Sequence, residues 1–158
     1  MAVMADRYTD MLRGAGLRVT AARLAVLRVI DELEHSDADQ IRTEVRDRLG
    51  SISGQAIYDA VNTLTTRGVL RRFEPAGCRA RYEINRGDNH HHAVCTRCGR
   101  VVDVECAVGA APCLQAQDIA QTWRIQQAEV IYWGLCPDCV AAEAETSGVE
   151  PTPTAAGA

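Results

Sequence analysis

Two Cys-x-x-Cys pairs constrain the fold of this chain more than any other feature of its sequence. Cys95 and Cys98 form the first pair, Cys136 and Cys139 form the second, and 37 residues separate the pairs. Each pair can present two thiolates from one tight turn, and two such turns complete a tetrahedral site. Gly99 follows the first pair and gives the backbone the freedom that such a turn often requires. The spacing therefore predicts one structural zinc ion bound by four cysteines.

Other uses of a Cys-x-x-Cys pair fit the sequence less well. A thioredoxin-like redox motif uses a single pair between a strand and a helix, whereas this chain has two pairs. Haem attachment needs a histidine where Gly99 stands, and the His-x-Glu and Pro-Cys-x-x-Cys motifs of the zinc deaminases are absent. The other cysteines, Cys78, Cys106 and Cys113, are expected to be mostly small buried side chains, although Cys106 and Cys113 could pair under oxidation.

The length and composition are those of a cytoplasmic protein with one mid-sized domain or two small ones. The 158 residues contain no long apolar run and begin without a recognisable secretory leader. In a reducing compartment, the seven cysteines indicate metal ligands or redox thiols before disulfides.

The net charge of -4 conceals a difference between the two halves of the chain. Residues 1–86 carry 14 of the 17 basic residues, all arginine, against 12 acids, whereas residues 87–158 carry 3 against 9. Six of these arginines lie between Arg67 and Arg86, with only Glu74 and Glu83 to balance them. The first half therefore has the local charge of a surface that contacts phosphates.

Apolar spacing in the first half predicts three helices and then two strands. The helices are expected to begin at Thr20, Asp37 and Ser53, and the second and third end near Gly50 and Gly68. The runs VLRRFE and RARYEI, joined by PAGC, read as a hairpin. This order predicts a winged helix-turn-helix, and the alternative is a generic small α/β module with a solvated arginine surface.

The third helix has one apolar face and one polar face. Ile57, Val61 and Leu64 share the first face, while the polar stripe comprises Gln55, Tyr58, Asp59 and Asn62. The predicted DNA contacts are Arg18, Ser53, Gln55, Tyr58, Asn62, Arg71 and Arg72.

The second half reads as a set of strands after a polar linker, NRGDN. Strands are expected around His90 to Val94 and Arg100 to Val104, then a weak helix near Cys113 to Thr122, and then a long strand in RIQQAEVIYWGL. The acidic, Pro-containing tail from Ala141 is expected to be disordered.

The histidine run supports a second metal site. His90 and His92 would point to one face of a strand while His91 points away, and Asp103 lies on the following strand. Imidazole and carboxylate together suit Fe(II) or Mn(II), or zinc less selectively. His91 is expected to be merely hydrophilic.

Four segments closely resemble the ferric uptake regulator family of bacterial metal-dependent repressors, in particular its peroxide-sensing, catalase-linked actinobacterial branch. They are GLRVTAAR, YDAVNTLTTRGVLRR, HHHAVCTRCGRVVDV and EVIYWGLCPDC, and the resemblance covers about residues 10–140. It implies an α+β homodimer. The expected organisation is a winged-helix DNA-binding domain at 1–85, a hinge at 86–89, an α/β metal-binding dimerisation domain at 90–140, and a disordered tail at 141–158.

The resemblance also implies which residues hold each metal. The four paired cysteines are expected to bind the structural zinc. The sensory Fe(II) or Mn(II) is expected to be bound by residues from both domains, so that metal binding can select one relative orientation of the domains. That set is His35, Glu83, His90, His92 and Asp103.

Two departures from iron-sensing relatives favour peroxide sensing. Many iron-sensing relatives have another histidine and carboxylate metal site, built partly from a residue before the histidine run and a second histidine in the last strand. This site is expected to be missing, because Asn89 and Ala128 stand at the corresponding places. Asp103 stands where iron sensors tend to have glutamate and peroxide sensors aspartate. The implied function is a repressor, not an enzyme, that leaves operator DNA when peroxide oxidises the iron site and so derepresses catalase or peroxidase genes. The alternatives are an iron- or zinc-uptake repressor, a thiol-switch regulator, and a thiol oxidoreductase.

Overall fold

The computed structural model describes residues 2–107, 122–125 and 128–147. The chain divides into two compact units, residues 1–88 and 89–158. The division falls inside the polar linker that the sequence indicates. No helix in the described ranges combines the length and the apolar character needed to cross a membrane.

The first unit is mainly helical and carries a small antiparallel sheet. Thr20, Asp37 and Ser53 cap the three expected helices, because each side chain accepts a hydrogen bond from a backbone N–H three residues later. Asp37 forms a full capping box with Gln40. The elements are α1 (Ala2–Gly14), α2 (Ala21–Leu33), β1 (Ser36–Asp37), α3 (Ala38–Leu49), α4 (Gly54–Thr66), β2 (Leu70–Phe73) and β3 (Arg81–Ile84).

The sheet of the first unit has the order β1-β3-β2. β2 and β3 form the expected hairpin, and β1 pairs with the other edge of β3. The sequence did not indicate α1 or β1. The helices and the hairpin enclose one hydrophobic core, which includes Leu12, Leu27, Ile30, Ile41 and Leu64. All the buried residues of this cluster lie between positions 8 and 84. The arrangement of helices and hairpin is the expected winged helix-turn-helix.

The second unit contains β4 (His90–Cys95), β5 (Val101–Glu105), β6 (Ile131–Gly134) and α5 (Pro137–Ser147). The central strand β4 pairs antiparallel with β5 and parallel with β6. The α+β fold class is therefore confirmed.

Two expectations for the second unit are wrong in part. The long strand is regular only over Ile131–Gly134, and the segment expected to be disordered from Ala141 begins inside α5, which continues to Ser147. Small helix-forming residues in AAEAE explain the second difference, because alanine and glutamate favour helix even in a polar segment. Most of the weak helix expected near Cys113 lies outside the described residues, as does Cys113 itself.

Candidate metal centres

The four paired cysteines converge in the second unit. One sulfur atom from each of Cys95, Cys98, Cys136 and Cys139 lies within 4.8 Å of the other three. The Sγ atoms of Cys98 and Cys136 are 3.7 Å apart. A regular tetrahedron with Zn–S bonds of about 2.3 Å has sulfur–sulfur edges of about 3.8 Å. The sulfur spacing fits one four-coordinate zinc ion, and it is too long for a disulfide.

Strand pairing explains this convergence. β4 ends at Cys95 and β6 ends at Gly134, and because the two strands are parallel their carboxyl ends meet at the same edge. The N–H of Thr96 donates to the carbonyl of Gly134 at 2.8 Å, which holds the two turns together. Gly99 has φ 73° and donates its N–H to the carbonyl of Cys95 at 2.9 Å. The left-handed conformation of Gly99 closes the first turn, as its position after the pair suggested.

The surroundings of the four sulfur atoms are unequal. The N–H groups of Cys136 and Cys98 donate hydrogen bonds to Cys95 Sγ and lower the pKa of that thiol to about 6. Burial, followed by the neighbouring thiols, raises the pKa of Cys139 to about 12. Outside the sulfur set, Arg100 pairs with Asp138 at 2.7 Å. This ion pair joins the residues after the first cysteine pair to the middle of the second pair.

The histidine run of β4 places two imidazoles at one carboxylate. His92 and Asp103 are direct cross-strand partners, and His90 lies two residues before His92 on the same face. His90 Nε2 is 3.6 Å and His92 Nε2 is 3.7 Å from the same oxygen, Asp103 Oδ1. Ligand atoms that share an ion with bonds of about 2.1 Å are about 3.0 to 3.4 Å apart, so small adjustments bring these three groups onto one metal. The donors are nitrogen and oxygen, which distinguishes this group from the thiolate set.

The His91 side chain lies on the other face of β4 from His90 and His92, and its surroundings differ from those expected. Its side chain is buried, and its ring meets the ring of Tyr132 edge to face at 6.4 Å between centroids. The interpretation of His91 as merely hydrophilic is therefore wrong. Tyr132 belongs to β6, so His91 packs on the face of the sheet opposite His90 and His92.

The first unit contributes a separate histidine and carboxylate pair. His35 Nε2 lies 3.3 Å from Glu83 Oε2, and both side chains are about nine-tenths buried. The other carboxylate oxygen, Oε1, accepts a hydrogen bond from Arg71 Nη1 at 3.2 Å. Sequence spacing alone does not reveal His35. The contact of Arg71 with Glu83 could have been predicted from the expected hairpin, because the two residues are cross-strand partners in β2 and β3.

The predicted DNA-contact residues lie in the first unit. Gln55, Tyr58 and Asn62 are exposed on α4, and 57% of the Tyr58 surface is accessible. Ser53 is exposed at the N-terminus of α4, and Arg18 is exposed ahead of α2.

The arginines of the hairpin region are partly neutralised by acidic neighbours. Arg72 forms an ion pair with Glu74, and Arg79 Nη1 lies 2.6 Å from an oxygen of Asp39. Arg71 is turned towards Glu83, as described above. Glu74 and Glu83 were already counted against the six arginines, so of these pairs only that of Arg79 with Asp39 lowers the local positive charge further.

A model of the ferric uptake regulator family matches residues 14–130 of the chain. The chain belongs to this family. The transcriptional regulator FurA of Mycobacterium tuberculosis strain H37Rv is 51% identical over 132 residues, which cover 84% of this chain and 89% of that protein. The Vibrio cholerae ferric uptake regulator structure has a TM-score of 0.63 at 26% identity, covering 79% of this chain and 96% of that one. The Campylobacter jejuni peroxide stress regulator structure has a TM-score of 0.62 at 25% identity, covering 75% and 88%.

Membership establishes the class of function. Ferric uptake regulator proteins are metal-responsive transcriptional regulators that bind DNA as dimers, and they are not enzymes. The predictions of a DNA partner, of a homodimer and of a non-enzymatic role are therefore confirmed at the level of the family, and a thiol oxidoreductase is excluded. The four thiolates and the histidine and carboxylate donors supply two different kinds of metal-ligand chemistry.

Proposed function

We propose that the protein is a peroxide-responsive repressor that acts in the cytoplasm as a zinc-containing homodimer. It binds operator DNA when its regulatory site holds Fe(II) or Mn(II). Peroxide acting at the iron-loaded site releases the repressor and derepresses genes for catalase or peroxidase. The observation that carries this proposal is the nitrogen and oxygen donor group around Asp103 Oδ1, which is separate from a complete four-thiolate set.

The structural zinc is assigned to the thiolate set. Cys95, Cys98, Cys136 and Cys139 are all soft donors, and their spacing fits a tetrahedron. This ion would fasten β4 and β6 to the start of α5. A closed four-ligand site of this kind leaves no position for a reactant, so its role is structural.

The regulatory metal is assigned to groups from both units. His90, His92 and Asp103 would supply three donors, and His35 with Glu83 would supply two more. In each unit the donor atoms already lie within 3.7 Å of a neighbouring donor. A metal that needs ligands from both units is bound best when the units adopt one relative orientation, so its binding favours that orientation. In a dimer this selection would set the spacing of the two α4 helices for successive major grooves.

Peroxide sensitivity requires a ligand that peroxide can modify. Bound Fe(II) would activate peroxide at the site, a property that Mn(II) lacks. In the net reaction, the C2–H carbon of one imidazole gains an oxygen atom from peroxide, the other oxygen leaves as water, and two electrons pass from the imidazole to peroxide. His35 and His90 are the candidate imidazoles. The modified ring has altered donor nitrogens, so it binds the metal less well and the preferred orientation is lost.

A comparison of metals tests the proposal. The zinc-containing dimer is loaded anaerobically with Fe(II) or with Mn(II), exposed to mild peroxide, and assayed for operator binding. Only the Fe(II) form should lose operator affinity, and peptides containing His35 or His90 should gain the mass of one oxygen atom. Equal loss of DNA binding in both forms would show that iron chemistry at this site is not the sensor.

An iron-uptake repressor is the second candidate. Relatives with 51% and 45% identity are named ferric uptake regulation proteins 1 and 2 of Mycolicibacterium fortuitum. In that case operator binding should follow the Fe(II) concentration and remain unchanged after peroxide.

A thiol switch is tested with the double variant Cys106→Ser and Cys113→Ser, because a retained peroxide response in that variant excludes this extra cysteine pair as the sensor.

A further inference from the structure

Arg71 lies beside a proposed metal ligand in the first unit. β2 and β3 pair Arg71 directly opposite Glu83, so both side chains emerge on the same face of the hairpin. The guanidinium Nη1 is 3.2 Å from Glu83 Oε1, while Glu83 Oε2 is 3.3 Å from His35 Nε2. The carboxylate therefore lies between an arginine and a histidine, one oxygen to each.

Burial makes this arrangement energetically important. Only 9% of the Glu83 side chain is exposed, and an ionised carboxylate in such a place is costly unless a charged or polar partner compensates for the lost water. The Arg71 side chain is 23% exposed, so its charge is only partly screened by solvent. Its Nη2 also donates to the carbonyl of Asp88 at 3.4 Å, which restrains the guanidinium at a second point.

The neighbouring arginine provides a contrast within the same strand. Arg72 is cross-strand to Tyr82 and points to the opposite face of the hairpin, where it is 44% exposed and paired with the exposed Glu74. Because side chains alternate along a strand, these two adjacent arginines lie on opposite faces and have different surroundings. Arg72 remains suited to the predicted contact with DNA, whereas Arg71 is directed towards Glu83.

We propose that Arg71 is a positioning residue of the regulatory metal site. It holds Glu83 with Oε2 beside His35 Nε2, and it orients the carboxylate before the metal binds. This inference rests on the proposed role of Glu83 as a ligand. Partners of this kind, which orient a metal ligand without touching the metal, typically affect metal affinity 10- to 100-fold.

Matched variants of the two adjacent arginines test this role. The zinc-containing dimer of Arg71→Gln and of Arg72→Gln is titrated with Mn(II), and the free metal is measured by electron paramagnetic resonance. Arg71→Gln should weaken Mn(II) binding at least about 10-fold, and Arg72→Gln should leave it within about 2-fold of the parent protein. The sequence predicted Arg71 to contact DNA, but its guanidinium is directed towards Glu83 instead. At saturating Mn(II), the operator affinity of Arg71→Gln should therefore be close to that of the parent. The Arg72→Gln operator affinity should fall, and its dependence on salt should become less steep.

A double-mutant cycle separates positioning from a general loss of stability. Glu83→Gln alone should weaken Mn(II) binding, and adding Arg71→Gln to it should cause little further loss, because there is no longer a carboxylate to orient. Arg71→Lys retains the charge but not the planar fork, so its Mn(II) affinity should fall between those of Arg71→Gln and the parent. It also provides a measurement should Arg71→Gln fold poorly.

The possible failures are distinguishable. If Glu83→Gln leaves Mn(II) affinity unchanged, Glu83 is not a ligand and the proposed metal site is wrong. If Glu83→Gln weakens Mn(II) binding while Arg71→Gln does not, the site stands and the positioning role is refuted. If the effects of Arg71→Gln and Glu83→Gln simply add, Arg71 acts on metal binding by a route that does not involve Glu83, and the inference is again overturned.

Discussion

Removal of one thiolate from the proposed zinc site should destabilise the second unit and leave the stability of the first unit unchanged. Cys136→Ser is the chosen change, because Cys136 is only partly buried and serine fits its place. The hydrophobic cluster of the first unit draws all its buried residues from positions 8–84. In the described part of the second unit, the buried apolar side chains are Val94 and two of the zinc-site cysteines, Cys95 and Cys139. The second unit therefore depends on the metal far more than the first unit does.

The size of the effect follows from these contacts. Full burial of a valine such as Val94 contributes about 1.5 to 3 kcal/mol. A structural zinc contributes about 10 to 16 kcal/mol to the folding of small zinc domains, or roughly 3 kcal/mol for each of four ligands if they share it equally. Losing one thiolate thus costs as much as losing the whole contribution of Val94. Since 1.4 kcal/mol is a factor of ten, the open fraction of the second unit should rise roughly 100-fold.

Hydrogen exchange measured by mass spectrometry can test this expectation by region. In Cys136→Ser, peptides from β4 to β6 should lose protection by about that factor, while peptides from α2 and α4 keep theirs. The dimer should also dissociate at concentrations at which the parent remains associated. Cys78→Ser is the matched control, because Cys78 lies in the first unit and outside both cysteine pairs. Unchanged protection of β4 in Cys136→Ser would refute the reasoning.

Three further substitutions examine the regulatory site, a helix cap and the core. His92→Ala should abolish tight Mn(II) binding yet retain one zinc per subunit by metal analysis, whereas His91→Gln should retain both metals; loss of zinc in His92→Ala would contradict the separation of the two sites. Ser53→Ala removes the acceptor for the Ala56 N–H and should lower the free energy of unfolding of the first unit by about 1 kcal/mol in urea. No change would mean that water replaces this cap. Leu64→Ala, at a fully buried position, should cost about 2 to 5 kcal/mol in the same transition, and a smaller loss would indicate that the core collapses around the cavity.

Local signals in the sequence were sufficient for the helices and for much of the sheet structure. Thr20, Asp37 and Ser53 begin helices because each can satisfy a backbone N–H that the first turn leaves unpaired. Alternation along β4 placed His90 and His92 on one face for an equally local reason. The cysteine spacing predicted a shared site without any knowledge of the sheet, since four thiolates have few other stable uses in a reducing compartment.

Features that depend on pairing between distant segments were not accessible in this way. β1 is two residues long and exists because it pairs with β3, so no periodicity marks it. β6 is regular for only four residues, although the apolar pattern around it is longer. The burial of His91 follows from the pairing of β4 with β6, which brings Tyr132 next to it. In each case the structure depends on pairing between segments that are distant in the sequence, which the local pattern does not specify.

His35 shows why a proposed metal ligand cannot be found from residue spacing and still has a position that the fold determines. Glu34 and His35 both adopt positive φ values, 44° and 37°, which cost non-glycine residues free energy. These two conformations end α2 and direct the chain into β1, whose Ser36 pairs with Tyr82 of β3. The residue before Ser36 is thereby brought beside the residue after Tyr82, and His35 faces Glu83. Glycine at position 35 would relieve the strain but remove the imidazole, so a strained histidine there is what the proposed metal site requires.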